Sequence, residues 1–338
     1  MAGEYTYKEI MSQPDAWQTA LTDFSASLAQ LDKLELESYD EILFTGCGST
    51  YYLAMAAATL FREQGIAARG LPASEIWLYP ASAYRADKST LLVAVSRSGT
   101  TTETIRAVER FKANAKGDVL TFSCYPESTL AQLGTVNLVF PSGQEQSIAQ
   151  TRAFSVLYLA TIALAKHYLH QDISSASLSE AGRRLLQVYA PLAKRVGANA
   201  QLERFYFLGS GPRYGLACEV SLKMKEMTLS HSEPFHFLEF RHGPQSMVDD
   251  NTLMIGLISE ENEASERAVL NEMKARGAQI LALANQNADV SLDSSVDASL
   301  RNVLYLPVLQ LMAFERSLSK GLNPDKPHNL TAVVVLDS

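Results

Sequence analysis

Hydroxyl side chains are concentrated in one short stretch of the sequence, between two apolar patterns. The preceding run, residues 91–95, is typical of a buried parallel strand, and the apolar residues of 104–111 recur at helical spacing. The stretch therefore lies on a strand-to-helix turn, where free backbone N–H groups and the positive end of the helix dipole favour an anion. Gly99 allows close approach of the backbone to a ligand. The terminal oxygens of a phosphate monoester can accept hydrogen bonds from the hydroxyl side chains of the stretch. The hydroxyl residues are Ser96, Ser98, Thr100 and Thr101.

An ordinary Ser/Thr-rich helix cap would have the same composition, so this alternative stays open for the stretch alone. The stretch is not a Walker loop, because no Gly-Lys-Ser/Thr follows, and it is not GxGxxG. A second strand–turn–helix unit, with its Gly/Ser turn at residues 46–50, also suits an anion. Cys47 in that turn is predicted to be a small buried residue rather than a nucleophile, because no histidine is near it in sequence.

Three ionisable side chains, Glu219, Lys223 and Glu226, follow one another at steps of four and three. These steps place all three on one helical face. A surface salt-bridge ladder has the same spacing, but the surrounding Ala, Val, Leu and Met residues leave little freely solvated face. A lysine next to carboxylates in a partly apolar site tunes proton affinity, so this helix is a candidate acid–base centre.

Three histidines, His231, His236 and His242, lie within twelve residues. Their steps of five and six put them on no single face, which disfavours a metal site. A free imidazole that passes a proton is the better use of His242, next to Gly243-Pro244. We expect neither a metal nor a cofactor.

Strand and helix patterns alternate along the chain that must position these residues, which predicts doubly wound parallel sheets with ligands at the carboxyl ends of the strands. An amphipathic helix is predicted over 6–34 and a long apolar helix over 153–169. The second half repeats the pattern, but Ser259-Glu260-Glu261 replaces the hydroxyl stretch, and carboxylates would repel phosphate. The sequence thus predicts one phosphate site, in the first half. The predicted strands are 41–45, 68–71, 91–96, 119–124, 136–141, 205–208, 253–258, 280–284 and 303–307.

The bulk composition narrows the class of partner. A net charge of −8 and a pI near 5.4 argue against nucleic acid as a partner. Three widely spaced cysteines suit a reducing compartment. No leader pattern and no apolar run of about 18 residues is found, so we expect a cytoplasmic protein without a membrane partner.

Taken together, five stretches resemble the double-SIS (sugar isomerase) family of phosphosugar isomerases and deaminases, which includes the isomerase half of glucosamine-6-phosphate synthase. The resemblance runs from about residue 35 to the C-terminus and implies an α/β fold of two tandem SIS domains, each a doubly wound parallel sheet flanked by helices. It implies an N-terminal helical segment 1–34, SIS domains at 35–170 and 199–322, a linker and connecting helix at 171–198, and a tail 323–338 over the active site. The stretches are 46–50, 96–101, 143–151, 219–226 and 239–244.

The resemblance also implies residue roles. Glu226 would be the base that moves a proton between C1 and C2 of the sugar, supported by Glu219 and Lys223. His242 would open the sugar ring from the partner subunit, so a homodimer is implied. The phosphate would be held by Ser49, Ser96, Ser98 and Thr101. Other predicted substrate-binding residues are Cys47, Gly48, Thr50, Arg97, Ile148 and Gln150.

Departures from the family pattern shape the expected activity. Arg97 replaces a Gln, Gln150 replaces a Ser, and Ala332 stands where the family has a catalytic Lys. The chain as given also lacks the glutamine-hydrolysing domain of the synthase. We therefore expect a phosphosugar isomerase/deaminase acting on a 6-phosphorylated aminosugar, without glutamine-dependent synthase activity. The alternatives are a fructosamine-6-phosphate deglycase, a simple aldose–ketose isomerase and a non-catalytic sugar-phosphate sensor.

Overall fold

The computed structural model describes residues 2–173, 176–334 and 336. Within them, ten strands form two five-stranded sheets whose pairings are all parallel. The first sheet contains β1 (Glu41–Gly46), β2 (Ala68–Pro72), β3 (Ser89–Val95), β4 (Lys116–Ser123) and β5 (Val136–Val139). The second contains β6 (Arg204–Gly209), β7 (His231–Phe235), β8 (Thr252–Leu257), β9 (Gln279–Ala284) and β10 (Val290–Ser291).

Helices separate most of these strands, and short 3-10 turns occur between them. The α-helices are α1 (Glu4–Met11), α2 (Gln13–Ala26), α3 (Leu28–Leu31), α4 (Ser49–Glu63), α5 (Ala73–Leu78), α6 (Pro80–Ala83), α7 (Thr102–Asn114), α8 (Arg152–Tyr168), α9 (Ala176–Gly197), α10 (Pro212–Thr228), α11 (Glu263–Ala275), α12 (Ala298–Arg301) and α13 (Leu306–Ser319).

The chain divides into two compact units, each built on one sheet. The first-sheet unit contains Asp15–Glu145, Arg152–Ala176 and Thr331–Ser338. The second-sheet unit contains Met1–Pro14, Gln146–Thr151 and Ser177–Leu330. Both units are therefore assembled from segments that are distant in sequence.

The two sheets have the same topology. Their strand orders are β2-β1-β3-β4-β5 and β10-β9-β8-β6-β7, so each follows the order 2-1-3-4-5 when its strands are numbered along the chain. The predicted internal repeat and the predicted α/β class, with two doubly wound parallel sheets flanked by helices, are confirmed. In such a sheet the strand order reverses between strands 1 and 3, and a ligand binds at the carboxyl ends of these two strands.

Burial explains why these segments form central strands. All residues of β3 from Thr90 to Val95 are buried, because a parallel strand is covered by helices on both faces. In the first-sheet unit, Leu92 and Ala94 share a core with Val108 and Phe111 of α7. The corresponding core of the second-sheet unit includes Met254 of β8 and Val269 and Met273 of α11.

Three predictions about elements need correction. The single helix predicted over 6–34 is three helices, α1 to α3; Pro14 has no N–H to donate back to residue 10, so α1 cannot continue through it. The strand predicted over 303–307 is wrong. That run forms the 3-10 helix Asn302–Tyr305 and the start of α13, with Pro307 in the first turn, where a missing N–H has no cost. The shift to Asp, Ser and Glu around residues 171–180 predicts the linker there, before the connecting helix, but the linker is shorter because α9 begins at Ala176. Ser174 and Ser175 lie outside the described residues.

Candidate functional site

The loop of residues 96–101 leads from β3 to α7, at the switch point of the first sheet. The Ser96 side chain organises it: Oγ accepts the Gly99 N–H at 3.2 Å and lies 3.3 Å from Thr101 Oγ1. Gly99 has φ +64°, and a Cβ there would lie 2.1 Å from Ser128 Oγ, so the turn requires glycine. The first intrahelical bond of α7 runs from Ile105 N–H to the Thr101 carbonyl, so the N–H groups before it have no partner within the helix. This loop has the geometry of an anion cradle.

The loop after β1 reaches the same edge of the first sheet. Thr50 Oγ1 closes this turn by accepting the Cys47 N–H at 2.9 Å, and Gly48 has φ +54°. Cys47 Sγ lies 3.5 Å from Thr104 Oγ1 in the first turn of α7, so the two loops are in contact. Burial raises the pKa of the Cys47 thiol to about 11, so it is a neutral thiol at pH 7. Ser49 is buried at the start of α4.

Arg97 is buried within the 96–101 loop and already has protein partners. Its guanidinium donates to Glu145 Oε2 at 3.2 Å and to the Ala332 carbonyl at 3.3 Å. Thr102 Oγ1 also accepts the Leu336 N–H at 3.1 Å. Ala332 therefore lies next to the arginine, and Leu336 contacts the start of α7.

The three predicted acid–base residues lie on α10 in the second-sheet unit, and the structure brings them together as a group that we call the α10 triad. Lys223 Nζ lies 2.5 Å from Glu226 Oε2 and 3.4 Å from Glu219 Oε1. The side chains of Glu219 and Lys223 are 0% and 1% exposed, whereas that of Glu226 is 20% exposed. Glu226 is thus the member that reaches solvent, with one oxygen held by the lysine. This arrangement suits a carboxylate base with a fixed orientation.

The segment Gln146–Thr151, which we call the Gln146 loop, carries the other predicted substrate-binding residues. Ile148 donates its N–H to the Asp325 carbonyl at 3.1 Å. Gln150 is half-buried, and its Oε1 is buried without a hydrogen-bond partner among the described residues. Sequence reasoning missed Glu9, whose carboxylate binds this loop from α1. A signal was present, because polar residues occupy the buried face of α1 at helical spacing (Thr6 and Glu9).

His242 follows the 3-10 helix Glu239–Arg241 and is exposed, with its backbone N–H bonded to the Glu239 carbonyl at 2.9 Å. His236 stacks on Tyr214 with ring centroids 3.8 Å apart. Desolvation by the surrounding protein lowers the pKa of His236, although part of the ring faces solvent. Among the described residues, no group of three His, Cys, Asp or Glu side chains is arranged to hold a metal ion.

Comparison with known proteins identifies the family. The sequence profile of the SIS domain matches residues 35–167 and 200–308. The isomerizing glutamine–fructose-6-phosphate aminotransferase of Sulfolobus acidocaldarius is 29% identical over 343 residues. That alignment covers 98% of this chain but 57% of the relative, so the chain spans little more than half the relative's length.

Two solved structures share the fold over nearly the whole chain. Glucosamine-6-phosphate deaminase from Thermotoga maritima superposes with a TM-score of 0.81 at 28% identity, covering 98% of this chain and 100% of that one. Tagatose-6-phosphate ketose/aldose isomerase from Escherichia coli superposes with a TM-score of 0.88 at 24% identity, covering 99% and 97%. The latter similarity shows the fold alone.

The two parallel sheets of the same topology, separated by helices along the chain, define a double α/β protein. The chain belongs to the SIS domain family and contains two copies of that domain. The resemblance predicted from the sequence is confirmed. In the part of the chain that the structure describes, no helix is both long and apolar enough to cross a membrane.

Proposed function

We propose that this chain is a phosphosugar isomerase/deaminase that acts on a 6-phosphorylated aminosugar. In this proposal, the 96–101 loop binds the phosphate and Glu226 transfers the proton. The observation that carries it is the α10 triad, in which buried Lys223 holds one oxygen of Glu226 while that carboxylate stays open to solvent. The deaminase named above, 28% identical over its full length, supports the aminosugar.

Phosphate binding is assigned to the first-sheet unit on chemical grounds. The cradle combines backbone N–H groups in the first turn of α7 with the hydroxyls of Ser96, Ser98 and Thr101; the first N–H of the helix, that of Thr102, already donates to the Val334 carbonyl at 3.5 Å. Each is a hydrogen-bond donor, which suits a dianion. We assign the neutral Cys47 thiol and Gly48 to the wall of this cradle rather than to the chemistry.

The proton shift needs one carboxylate and no metal in this proposal. In the open-chain aminosugar, the aldehyde at C1 acidifies the C2–H bond. Glu226 removes the C2 proton to give an enolamine, and returning a proton to C1 leaves an imine at C2. Water then adds to the imine and releases ammonia, so an aminosugar phosphate and water give a ketose phosphate and ammonia. We assign ring opening, which must come first, to His242 from a partner subunit.

Ala332 supports release of an amine rather than its transfer from glutamine. Its methyl group can neither carry a proton nor form an imine, in contrast to the lysine that the family resemblance implies at this position. We therefore propose that the chain needs no glutamine.

A substrate panel tests the proposal. Purified protein is incubated with hexosamine 6-phosphates, fructosamine 6-phosphates and plain hexose 6-phosphates, with unphosphorylated glucosamine as the control. We expect ammonia and a ketose phosphate from a hexosamine 6-phosphate and no turnover of glucosamine. Amine release from fructosamine 6-phosphates alone would instead identify a deglycase. Conversion of hexose phosphates alone would identify a simple isomerase, and tight binding of phosphosugars with no turnover would identify a sensor.

A further inference from the structure

One buried carboxylate on α1 receives several hydrogen bonds from the Gln146 loop. Glu9 is 4% exposed, and its Oε1 accepts the N–H groups of Gln146 at 2.6 Å and Ser147 at 3.3 Å. Its Oε2 accepts the hydroxyl of Ser147. Bonds to a charged acceptor are stronger than neutral ones, and a buried carboxylate requires such partners. Glu9 therefore fixes both the backbone and a side chain at the start of this loop.

A second contact fixes the middle of the same loop to the same helix. Ile148 donates its N–H to the Asp325 carbonyl, and the Asp325 carboxylate accepts both the N–H and the hydroxyl of Thr6 at 2.8 Å each. Gln310 donates to the Thr151 carbonyl at 3.3 Å. The loop is thus held at its start, middle and end, and the carboxylate of Glu9 provides the charged contact at its start.

The held loop presents a polar atom that has no partner. Gln150 Oε1 is buried without a hydrogen bond among the described residues, and Gln150 is only half-buried as a whole. Leaving a buried acceptor unsatisfied costs free energy, so such an atom points to a donor that arrives with a ligand. A hydroxyl or amino group of a sugar is such a donor.

We propose that Glu9 is a positioning residue: it fixes the Gln146 loop so that Gln150 Oε1 accepts a hydrogen bond from a hydroxyl or amino group of the bound sugar. The inference rests on the proposed function for the identity of the ligand. Glu9 itself touches no substrate and acts through the loop. It sets how the sugar, rather than its phosphate, is oriented.

A double-mutant cycle tests the coupling between the two residues. Glu9→Ala and Gln150→Ala should each lower kcat/KM for the phosphosugar by about tenfold, the size expected when one hydrogen bond to the ligand is lost. The double variant should also lose about tenfold rather than a hundredfold, because both changes remove the same contact. Glu9→Gln keeps one oxygen for the two N–H groups and should recover most of the activity. Glu4→Ala, at an exposed position on the same helix, is the matched control.

Independent, multiplicative losses would overturn the inference, and so would a Glu9→Ala variant that loses thermal stability but keeps its kinetic constants. Inorganic phosphate should bind Glu9→Gln and wild type equally, because the cradle is built from other residues.

Hydrogen exchange tests the positioning without any turnover, so it separates this inference from the proposed function. The Gln146 and Ser147 amides should exchange at least about tenfold faster in Glu9→Ala than in Glu4→Ala. Unchanged exchange would contradict the role of Glu9 even if the enzyme is active. Should Glu9→Ala fail to fold, Glu9→Gln is compared with Glu9→Asp. The shorter side chain of Glu9→Asp cannot reach all three donors, so its Gln146 and Ser147 amides should exchange faster and its turnover of the phosphosugar should be lower.

Discussion

Lys223 shows how burial and charge together define the role of each residue in the α10 triad. Its ammonium lies between two carboxylates, one fully buried and one 20% exposed. Removing one partner of a buried ion pair leaves an uncompensated charge, so the three side chains depend on one another. The exposed carboxylate alone can meet a substrate, which separates the proposed base from its two supports.

Local spacing predicts some of these residue contacts and not others. Steps of four and three predict that Glu219, Lys223 and Glu226 share a helix face, but spacing cannot tell which of them faces solvent. The contacts of Arg97 with Glu145 and Ala332 join residues 48 and 235 positions apart. Such pairs depend on the tertiary fold, and so does the contact between Glu9 and Ser147. A local pattern contains no information on either.

The hydroxyl of Ser98 gives a prediction at the residue scale. In the proposed function it donates to the phosphate, and a hydrogen bond to a charged group contributes roughly 1.5–3 kcal/mol. Ser98→Ala should therefore raise KM for the phosphosugar by about tenfold or more, since about 1.4 kcal/mol is a factor of ten. Steady-state kinetics measure this, with exposed Ser82→Ala of α6 as the control. An unchanged KM would remove Ser98 from the phosphate site.

At the scale of elements, the central strands of both sheets and the edge strands of the first sheet were predictable, whereas the edge strands of the second sheet were not. The buried runs of β1, β3, β6 and β8 have the continuous apolar pattern of parallel strands. β7 contains His231, Glu233 and Pro234, which is not an apolar strand pattern. Its proline is tolerated because β7 lies at the edge of its sheet. β10 has two residues, too few for a periodic signal. The run at 303–307 was misassigned because a short apolar stretch has the same pattern in a strand and in a buried helix.

The turn between β3 and α7 gives a prediction at the element scale. Gly99 has φ +64° and no room for a Cβ, because Ser128 Oγ would be 2.1 Å away; Gly65 has φ +78° and open space around it. Both Gly→Ala variants should lose about 1–2 kcal/mol from the left-handed backbone. Gly99→Ala should lose more, because Ser128 must also move, and its cradle should no longer bind inorganic phosphate. Thermal unfolding and phosphate titration measure the two effects. Equal stabilities and equal phosphate binding in the two variants would contradict the cradle geometry.

At the scale of the whole molecule, one topology has been used twice with different residues at its switch point. In the first-sheet unit, the turn after β3 contains hydroxyl side chains. In the second-sheet unit, the corresponding turn after β8 contains Ser259, Glu260 and Glu261. Buried Glu266 accepts the Ser259 N–H at 2.6 Å, and burial raises the pKa of that carboxyl. Hydrogen-bond donors suit a phosphate and carboxylates do not, so the expectation of one phosphate site follows from composition and stays a prediction.

His242 gives a prediction about assembly. It is exposed, and the nearby apolar side chains of Leu238 and Met247 are 53% and 50% exposed, which favours an interface with another chain. If a partner supplies this histidine, Glu226→Gln and His242→Ala chains should rescue each other when mixed and refolded. Random pairing in a twofold dimer would restore about a quarter of wild-type activity, because half the dimers are hybrids with one intact site each. Hybrid dimers without activity would show that each chain supplies its own histidine.

The central claim is that Glu226 transfers the proton between C1 and C2, and solvent deuterium tests it most directly. Wild-type protein turning over an aminosugar phosphate in D2O should place deuterium at C1 of the ketose product, as read by NMR. Glu226→Gln keeps the shape of the side chain but cannot accept a proton, so turnover and deuterium incorporation should fall by about 10²–10⁴-fold. Binding of an unreactive substrate analogue should be nearly unchanged. Near-normal deuterium incorporation by Glu226→Gln would contradict the account and place the base elsewhere.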